Sequence, residues 1–136
     1  MPRIQVFNPP ELGKPHSPYS RALRVNGATS FVYIAGMAAF DKDGKPVGGD
    51  DFEAQCKQVF LNIEHALKAA GANWDNVVNF TSFLKDAADI PLYAKYRQAN
   101  FPGMFKQGNF PPNTLVLAAR FSHESFRLEV QAVAAI

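Results

Sequence analysis

The side chains able to do chemistry in this sequence are few and scattered. Cys56 is the one cysteine, and His16, His65 and His123 are the three histidines. The histidines lie far apart, with no further ligand at metal-binding spacing, so no metal site is expected; His65 falls on a helix as a surface or interface residue. Ser20, Ser82 and Ser122 lack the Gly-x-Ser-x-Gly context of a nucleophile elbow. Cys56 sits in an apolar helical stripe, where a small packing role fits better than a nucleophile. Three polar residues remain. Glu129 lies in the alternating run Phe126 to Ala134 with Arg127 and Arg120 nearby, and periodicity alone leaves open whether it pairs with an arginine or faces a ligand. Tyr19 ends a proline-rich segment and Asn113 follows Pro111-Pro112. A phenol and an amide can orient a polar ligand, but they can equally pack a loop and shape a turn.

Composition narrows the partners. A length of 136 residues with 47% apolar and 12% aromatic content suffices for one core and not for two domains. The 14 basic and 12 acidic residues give a formal charge of +2 without a block of like charges, so nucleic acid is a poor default partner. A lone cysteine makes no internal disulfide, and no basic segment leads into an apolar run, so the cytoplasm is the expected compartment. Apolar stretches such as Phe31 to Phe40 are shorter than the roughly 20 residues of a membrane helix.

The elements that must position these residues follow from periodicity. A short extended piece around Ile4 to Phe7 leads into the loop Pro15-His16-Ser17-Pro18-Tyr19-Ser20. Arg21 to Val25 and Phe31 to Ile34 read as antiparallel strands joined by a hairpin at Asn26-Gly27. Asp43-Gly44 and Gly48-Gly49 mark turns. Asp50 to Ala70 is predicted as a helix, with Phe52, Cys56, Val59, Phe60, Ile63, Ala66, Leu67 and Ala70 at three- and four-residue steps. Asp50 and Glu53 resemble a capping box, Gly71 a stop, and Glu53–Lys57 and Glu64–Lys68 add i,i+4 pairs. Val77 to Leu84 reads as a strand. Asp89 to Phe101 reads as a helix with Leu92, Tyr96 and Ala99 inward, stopped at Pro102-Gly103. Asn113 to Phe121 and Phe126 to Ala134 are the closing strands. The order predicts an α+β domain: a mixed, mainly antiparallel sheet with both helices on one face and no Gly-rich phosphate loop. Phe31, Tyr33, Val77 and Phe83, or their alternates, then lie on a second face that one helical layer leaves uncovered, and a neighbouring subunit is the economical cover.

Several segments also carry a resemblance. They are Ser17-Pro18-Tyr19-Ser20, Val32-Tyr33-Ile34-Ala35-Gly36, the helix bearing Gln55, and Asn62-Ile63 through Ala69-Ala70-Gly71-Ala72. Val77-Val78 with Thr81, Phe83-Leu84-Lys85-Asp86, Phe110-Pro111-Pro112-Asn113-Thr114, and Leu128-Glu129-Val130 with Ala132 and Ala134 complete the set. In order and spacing, from about Ser17 onward, the chain resembles the Rid family, the reactive-intermediate deaminases also called YjgF-like or L-PSP endoribonucleases. The resemblance implies one Rid-like domain over residues 1–136, a chorismate-mutase-like fold, a homotrimer, and crevices between subunits where imines or enamines are hydrolysed without a cofactor. It places Glu129 as the catalytic group that positions or activates water, and Tyr19, Ala35, Gly36, Tyr93, Asn113 and Thr114 around the substrate.

The chain departs from the family pattern at defined places. Asn113 stands where deaminating members have an arginine that grips a carboxylate in a bidentate fork. An amide lacks the two parallel charge-assisted bonds of a guanidinium, which removes about 1.5–3 kcal/mol per bond to a charged group. Ala35 replaces a serine, Met37 a polar residue, Tyr93 an asparagine and Leu115 a cysteine. A crevice with a carboxylate and no opposing cation rejects small anions, so the expected ligand is neutral, larger or aromatic. Three functions remain: hydrolytic deamination of an imine, enamine or related intermediate with altered preference; a non-catalytic trimer binding a metabolite or protein in the same crevices; and, weakest, RNA cleavage.

Overall fold

A computed structural model describes residues 2–136. β1 (Arg3–Phe7) and β2 (Ala22–Asn26) form a separate two-stranded ribbon. The main sheet holds four strands in the order β3-β6-β4-β5, comprising β3 (Phe31–Met37), β4 (Val77–Leu84), β5 (Asn113–Leu117) and β6 (Leu128–Ala135). β6 runs antiparallel to β3 and β4, whereas β5 runs parallel to β4. α1 (Phe52–Ala69) and α2 (Ile90–Met104) supply the helical layer. This is the expected α+β arrangement, a mixed and mainly antiparallel sheet under helices.

Two strand expectations need correction. The Asn26-Gly27 turn does not pair β2 with β3: β2 returns along β1, with Ile4 opposite Val25, and β3 pairs with β6. The reason lies after the turn, where the amides of Thr29 and Ser30 both donate to the carbonyl of Ile136, at 2.7 and 3.0 Å, and steer the chain onto the last strand. The strand expected over Asn113 to Phe121 stops at Leu117, because the Ala118 amide donates to Leu84 O (2.8 Å) at the end of β4 and the ladder has no further partner.

α1 forms as its pattern demands, two residues inward of the expected start. Asp51, in extended conformation, is the N-cap and accepts from the Ala54 amide at 3.1 Å; Gly71, with φ of 75°, follows the C-terminal end. Its inner face buries Phe52, Cys56, Val59, Phe60, Ile63 and Leu67. Phe60 is the hub, with ring centroids of Phe80, Tyr96 and Phe101 within 6.1 Å, so truncating it to alanine would cost about 3–5 kcal/mol. Glu64 and Lys68 pair at 3.7 Å, while Glu53–Lys57 is not among the ion pairs found in the described residues.

α2 is rotated from the expected register. Its buried side chains are Tyr93, Tyr96, Arg97 and Phe101, whereas Leu92 is 47% exposed and Ala99 faces outward. Aromatic rings offer more area to bury than Leu92 or Ala99, so the aromatic positions set the rotation. The helix also passes through Pro102 to Met104. Proline loses one backbone bond there, but Phe105 N still donates to Phe101 O at 2.9 Å and closes the last turn.

Polar groups fix how the layers meet. Buried Gln55 donates to Gly49 O (2.7 Å) and Ser125 O (2.8 Å) and accepts from the Arg127 amide (2.9 Å), tying α1 to the start of β6. The Arg127 guanidinium forks onto the buried carboxylate of Asp89, at 3.0 Å from Nε to Oδ2, and also reaches Asp50 O. Opposite the helices, β3 leaves Phe31 52% and Tyr33 79% exposed, and Val116 of β5 adds to that face. Phe83 turns to it as expected, but Val77 is buried against the core. No helix among the described residues is long and apolar enough to cross a membrane.

Because Asp89 is 2% exposed and takes the fork of a half-buried guanidinium, Asp89→Ala should lower the unfolding free energy by about 3 kcal/mol in urea titration. The double variant Asp89→Leu/Arg127→Met should lose less than the sum of its two single variants. Additive losses would show that the two side chains act independently.

Candidate functional site

The residues named from sequence fall into two groups on opposite faces of the main sheet. β4 sets the geometry. Its Thr81 and Phe83 share the open face, and they pair with Thr114 and Val116 of β5 and, for Phe83, with Glu129 of β6. Thr114 and Glu129 therefore lie on the face away from the helices. Asn113 pairs with Phe80, which is buried in the core, and so projects toward the helical side. β6 and β5 are separated by β4, a span of roughly 10 Å at the usual strand spacing. A single copy does not bring Glu129 to Asn113.

The first group is Ala35, Gly36 and Glu129. Between Ile34 and Met37 the β3–β6 register shifts, and two residues, Ala35 and Gly36, stand opposite the single Gln131 of β6 as a bulge. The Glu129 carboxyl lies directly over the glycine: a Cβ at position 36 would sit 2.9 Å from both Cδ and Oε2 of Glu129. Gly36 therefore lets the half-buried carboxylate lie against bare backbone on a face otherwise lined by exposed Tyr33 and Ala35.

The second group surrounds a recess of about 360 Å³ between the edge of β5, α2 and the loop at residues 16–21, with Tyr19, Arg21, Arg97, Asn113 and Leu115 in its walls. That volume falls within the roughly 300–1,000 Å³ of small-molecule sites. A smaller recess of about 150 Å³ between α1 and α2, lined by Phe52, Lys95 and Tyr96, contains none of the candidate residues. Hydrogen bonds orient the amide. Ser82 Oγ donates to Asn113 Oδ1 at 2.6 Å, and because that uses the only serine proton, the Tyr93 hydroxyl donates to Ser82 Oγ at 2.8 Å. Asn113 thus turns its oxygen into the protein and keeps its NH₂ as the free polar group. Tyr93, 1% exposed, anchors this chain from behind, and burial pushes its phenol well above the ordinary tyrosine value, so it is a neutral donor. Tyr93, expected at the ligand, spends its hydroxyl proton on Ser82 behind the Asn113 amide.

Tyr19 is fixed from the loop side. Its hydroxyl accepts from Arg21 Nη1 at 3.0 Å, which leaves its own proton to donate, and the Arg21 Nη2 group holds Leu12 O and Gly13 O. The His16 ring meets the Tyr19 ring edge-on at 5.7 Å. Arg97 was not legible as a site residue. It is 3% exposed, stacks its guanidinium 4.4 Å from the Tyr93 ring centroid, and has a buried Nε without an acceptor. Burial lowers its pKa from the ordinary arginine value, and the neighbouring Tyr93 and Tyr19 oppose that shift. The i,i+4 step from Tyr93 to Arg97 was the signal available: an arginine on the aromatic stripe of a helix is a buried cation. Arg21 and Arg97 thus place two cations in the same recess as Asn113.

The remaining candidates are quiet. Cys56 is fully buried, and desolvation, with smaller contributions from Asp89 and Glu53, pushes its thiol far up. No group of three or more His, Cys, Asp or Glu side chains among the described residues is arranged to hold a metal.

Comparison with known proteins agrees with this architecture. The family model described as Endoribonuclease L-PSP matches residues 11–136. A RutC family protein of Synechocystis is 30% identical over 138 aligned positions, covering 98% of this chain and 97% of that one. The crystal structure of YyfB, a Rid family protein of unknown function from Yersinia pestis, superposes with a TM-score of 0.82 at 23% identity, covering 98% of each chain. TdcF of Escherichia coli, crystallised with bound serine, gives a TM-score of 0.70 at 21% identity over 88% of this chain and 93% of its own.

Gly36→Ala should test the bulge. The clash falls on the far end of a flexible side chain, so the melting temperature should change by less than about 3 °C, while a crystal structure should show the Glu129 carboxyl displaced. An unmoved Glu129 would show that the glycine has no such role.

Proposed function

This chain belongs to the Endoribonuclease L-PSP family, the Rid proteins, with a chorismate-mutase-like fold, and from that premise we propose that it is a homotrimeric hydrolase of imines or enamines. In this reading the 136 residues act as one domain per subunit, and each crevice joins the Glu129–Gly36 face of one copy to the Tyr19–Asn113 recess of the next. One observation carries it. A carboxylate held over a bare backbone bulge and a donor-lined recess occupy opposite faces of the same sheet. A heterologous contact repeated around a rotation axis brings such unlike surfaces together, and closure after three copies gives three equal sites. The exposed Phe31, Tyr33 and Val116 provide an apolar surface for that contact.

The chemistry asks little beyond placement. An imine carbon is already electrophilic. Glu129 accepts a proton from water as the water oxygen bonds to that carbon and returns it to the nitrogen, giving a carbinolamine; the carboxylate then takes the hydroxyl proton and passes it to the nitrogen as the carbon–nitrogen bond breaks, giving a carbonyl compound and ammonia. An enamine enters the same route after protonation at carbon. The Tyr19 hydroxyl and the Asn113 NH₂ orient the substrate from the facing copy. The bound serine of TdcF is in keeping with a small-molecule crevice. RNA cleavage is the weaker reading, since the 14 basic residues form no continuous block.

Glu129→Gln should slow ammonia release from imines generated in situ by about 100-fold or more, with an unchanged sedimentation coefficient and melting temperature. A panel of imines hydrolysed no faster than in buffer, with ligands still raising the melting temperature, would replace catalysis by binding alone. Sedimentation as a single subunit at working concentration would remove the shared crevice altogether.

A further inference from the structure

Arg97 is an uncompensated cation in the wall of the recess. It is 3% exposed, and neither ion pair found among the described residues includes it. Its Nε has no acceptor, and the recess walls contain no Asp or Glu. Keeping a charge out of water without a partner is costly. The stack on Tyr93 occupies only the plane of the guanidinium, whose N–H donors point outward along its edges. Arg21 also has a buried Nε without an acceptor, but its two terminal nitrogens already donate to Tyr19, Leu12 and Gly13. Beside Arg97 stand two neutral donors, the Asn113 NH₂ and the Tyr19 hydroxyl, and the apolar side chains of Ile90, Ala94 and Leu115.

We propose that Arg97 is the specificity-determining anion anchor of the recess, taking a ligand that carries a carboxylate at one end and an apolar body at the other. The carboxylate lies against the guanidinium edge with Asn113 and Tyr19 completing its hydrogen bonds, and the body rests on Ile90, Ala94 and Leu115. A cation supplied from α2 reverses the neutral-ligand expectation drawn from Asn113. This inference rests on reading the recess as one half of the crevice, but binding is measured separately from turnover.

The test is calorimetric and thermal titration, at constant ionic strength, of benzoate against benzamide and of 2-oxobutanoate against its amide. The carboxylates should raise the melting temperature by about 4 °C at ten times their Kd, and the amides should not. Arg97→Met should weaken carboxylate binding by about ten- to a hundred-fold, with Arg97→Lys intermediate, since lysine keeps the charge without the fork. Without ligand, Arg97→Met should melt at or above the native temperature, a result that a merely structural arginine would not give. Amides binding as well as carboxylates, or undiminished carboxylate binding by Arg97→Met, would overturn the proposal. So would a lower melting temperature for Arg97→Met that is non-additive with Glu129→Gln, because the guanidinium would then be paired with a carboxylate of another copy. Should Arg97→Met fail to fold, Arg97→Lys and the native carboxylate–amide comparison still decide. Carboxylate binding through Arg97 without ammonia release would sink the hydrolytic reading and leave the anchor standing.

Discussion

Neighbouring residues on a strand point to opposite faces of a sheet, and in this molecule that alternation divides the chemistry. Asn113 and Thr114 are adjacent in sequence, yet one enters the α2 side, where Ser82 and Tyr93 hold its amide, and the other joins Glu129 on the open face. A one-residue slip of β5 would exchange them. The parallel pairing with β4 fixes the register, with Phe80 opposite Asn113 and buried beneath the helices.

The contrast between two arginines shows how the fold treats charge. Arg127 is matched: Asp89 takes its fork, the Asp50 carbonyl takes a third donor, and Gln55 accepts from its amide, so the group works as a rivet between β6, α1 and the start of α2. Arg97, more deeply buried, is stacked and unmatched. A satisfied buried ion pair needs no ligand to explain it, whereas an unsatisfied one points outside the chain. Proteins hold such imbalance where binding will relieve it.

Much of this was legible in the residues. α1 declares itself through its apolar repeat, and the alternation of β6 places Glu129 opposite Leu128 and Val130 without any structure. The family segments carried Glu129 and Gly36 as separate site residues, and the structure supplies a physical reason for the glycine, since the Glu129 carboxyl lies over it. What sequence could not fix were matters of pairing and rotation. The hairpin signal at Asn26-Gly27 was real as a turn, but the partner of β3 was decided by Ile136, more than a hundred residues away. A hydrophobic stripe through Leu92 and Ala99 turns α2 one way, while the buried area belongs to Tyr93, Tyr96 and Phe101 and turns it another. Only the second rotation brings Arg97 into the recess wall.

If each crevice is built from two copies, defects on separate chains should complement one another. The measurement is to mix, denature and refold equal amounts of Glu129→Gln and Tyr19→Ala/Asn113→Ala chains, each inactive alone, and to assay imine hydrolysis in the reassembled protein. Random assembly should leave roughly a quarter of the crevices with both halves intact, and activity should return to about that fraction of native. A mixture as inactive as its components, at the native oligomeric size, would mean that Glu129 works with residues of its own chain and that the two-copy crevice is wrong.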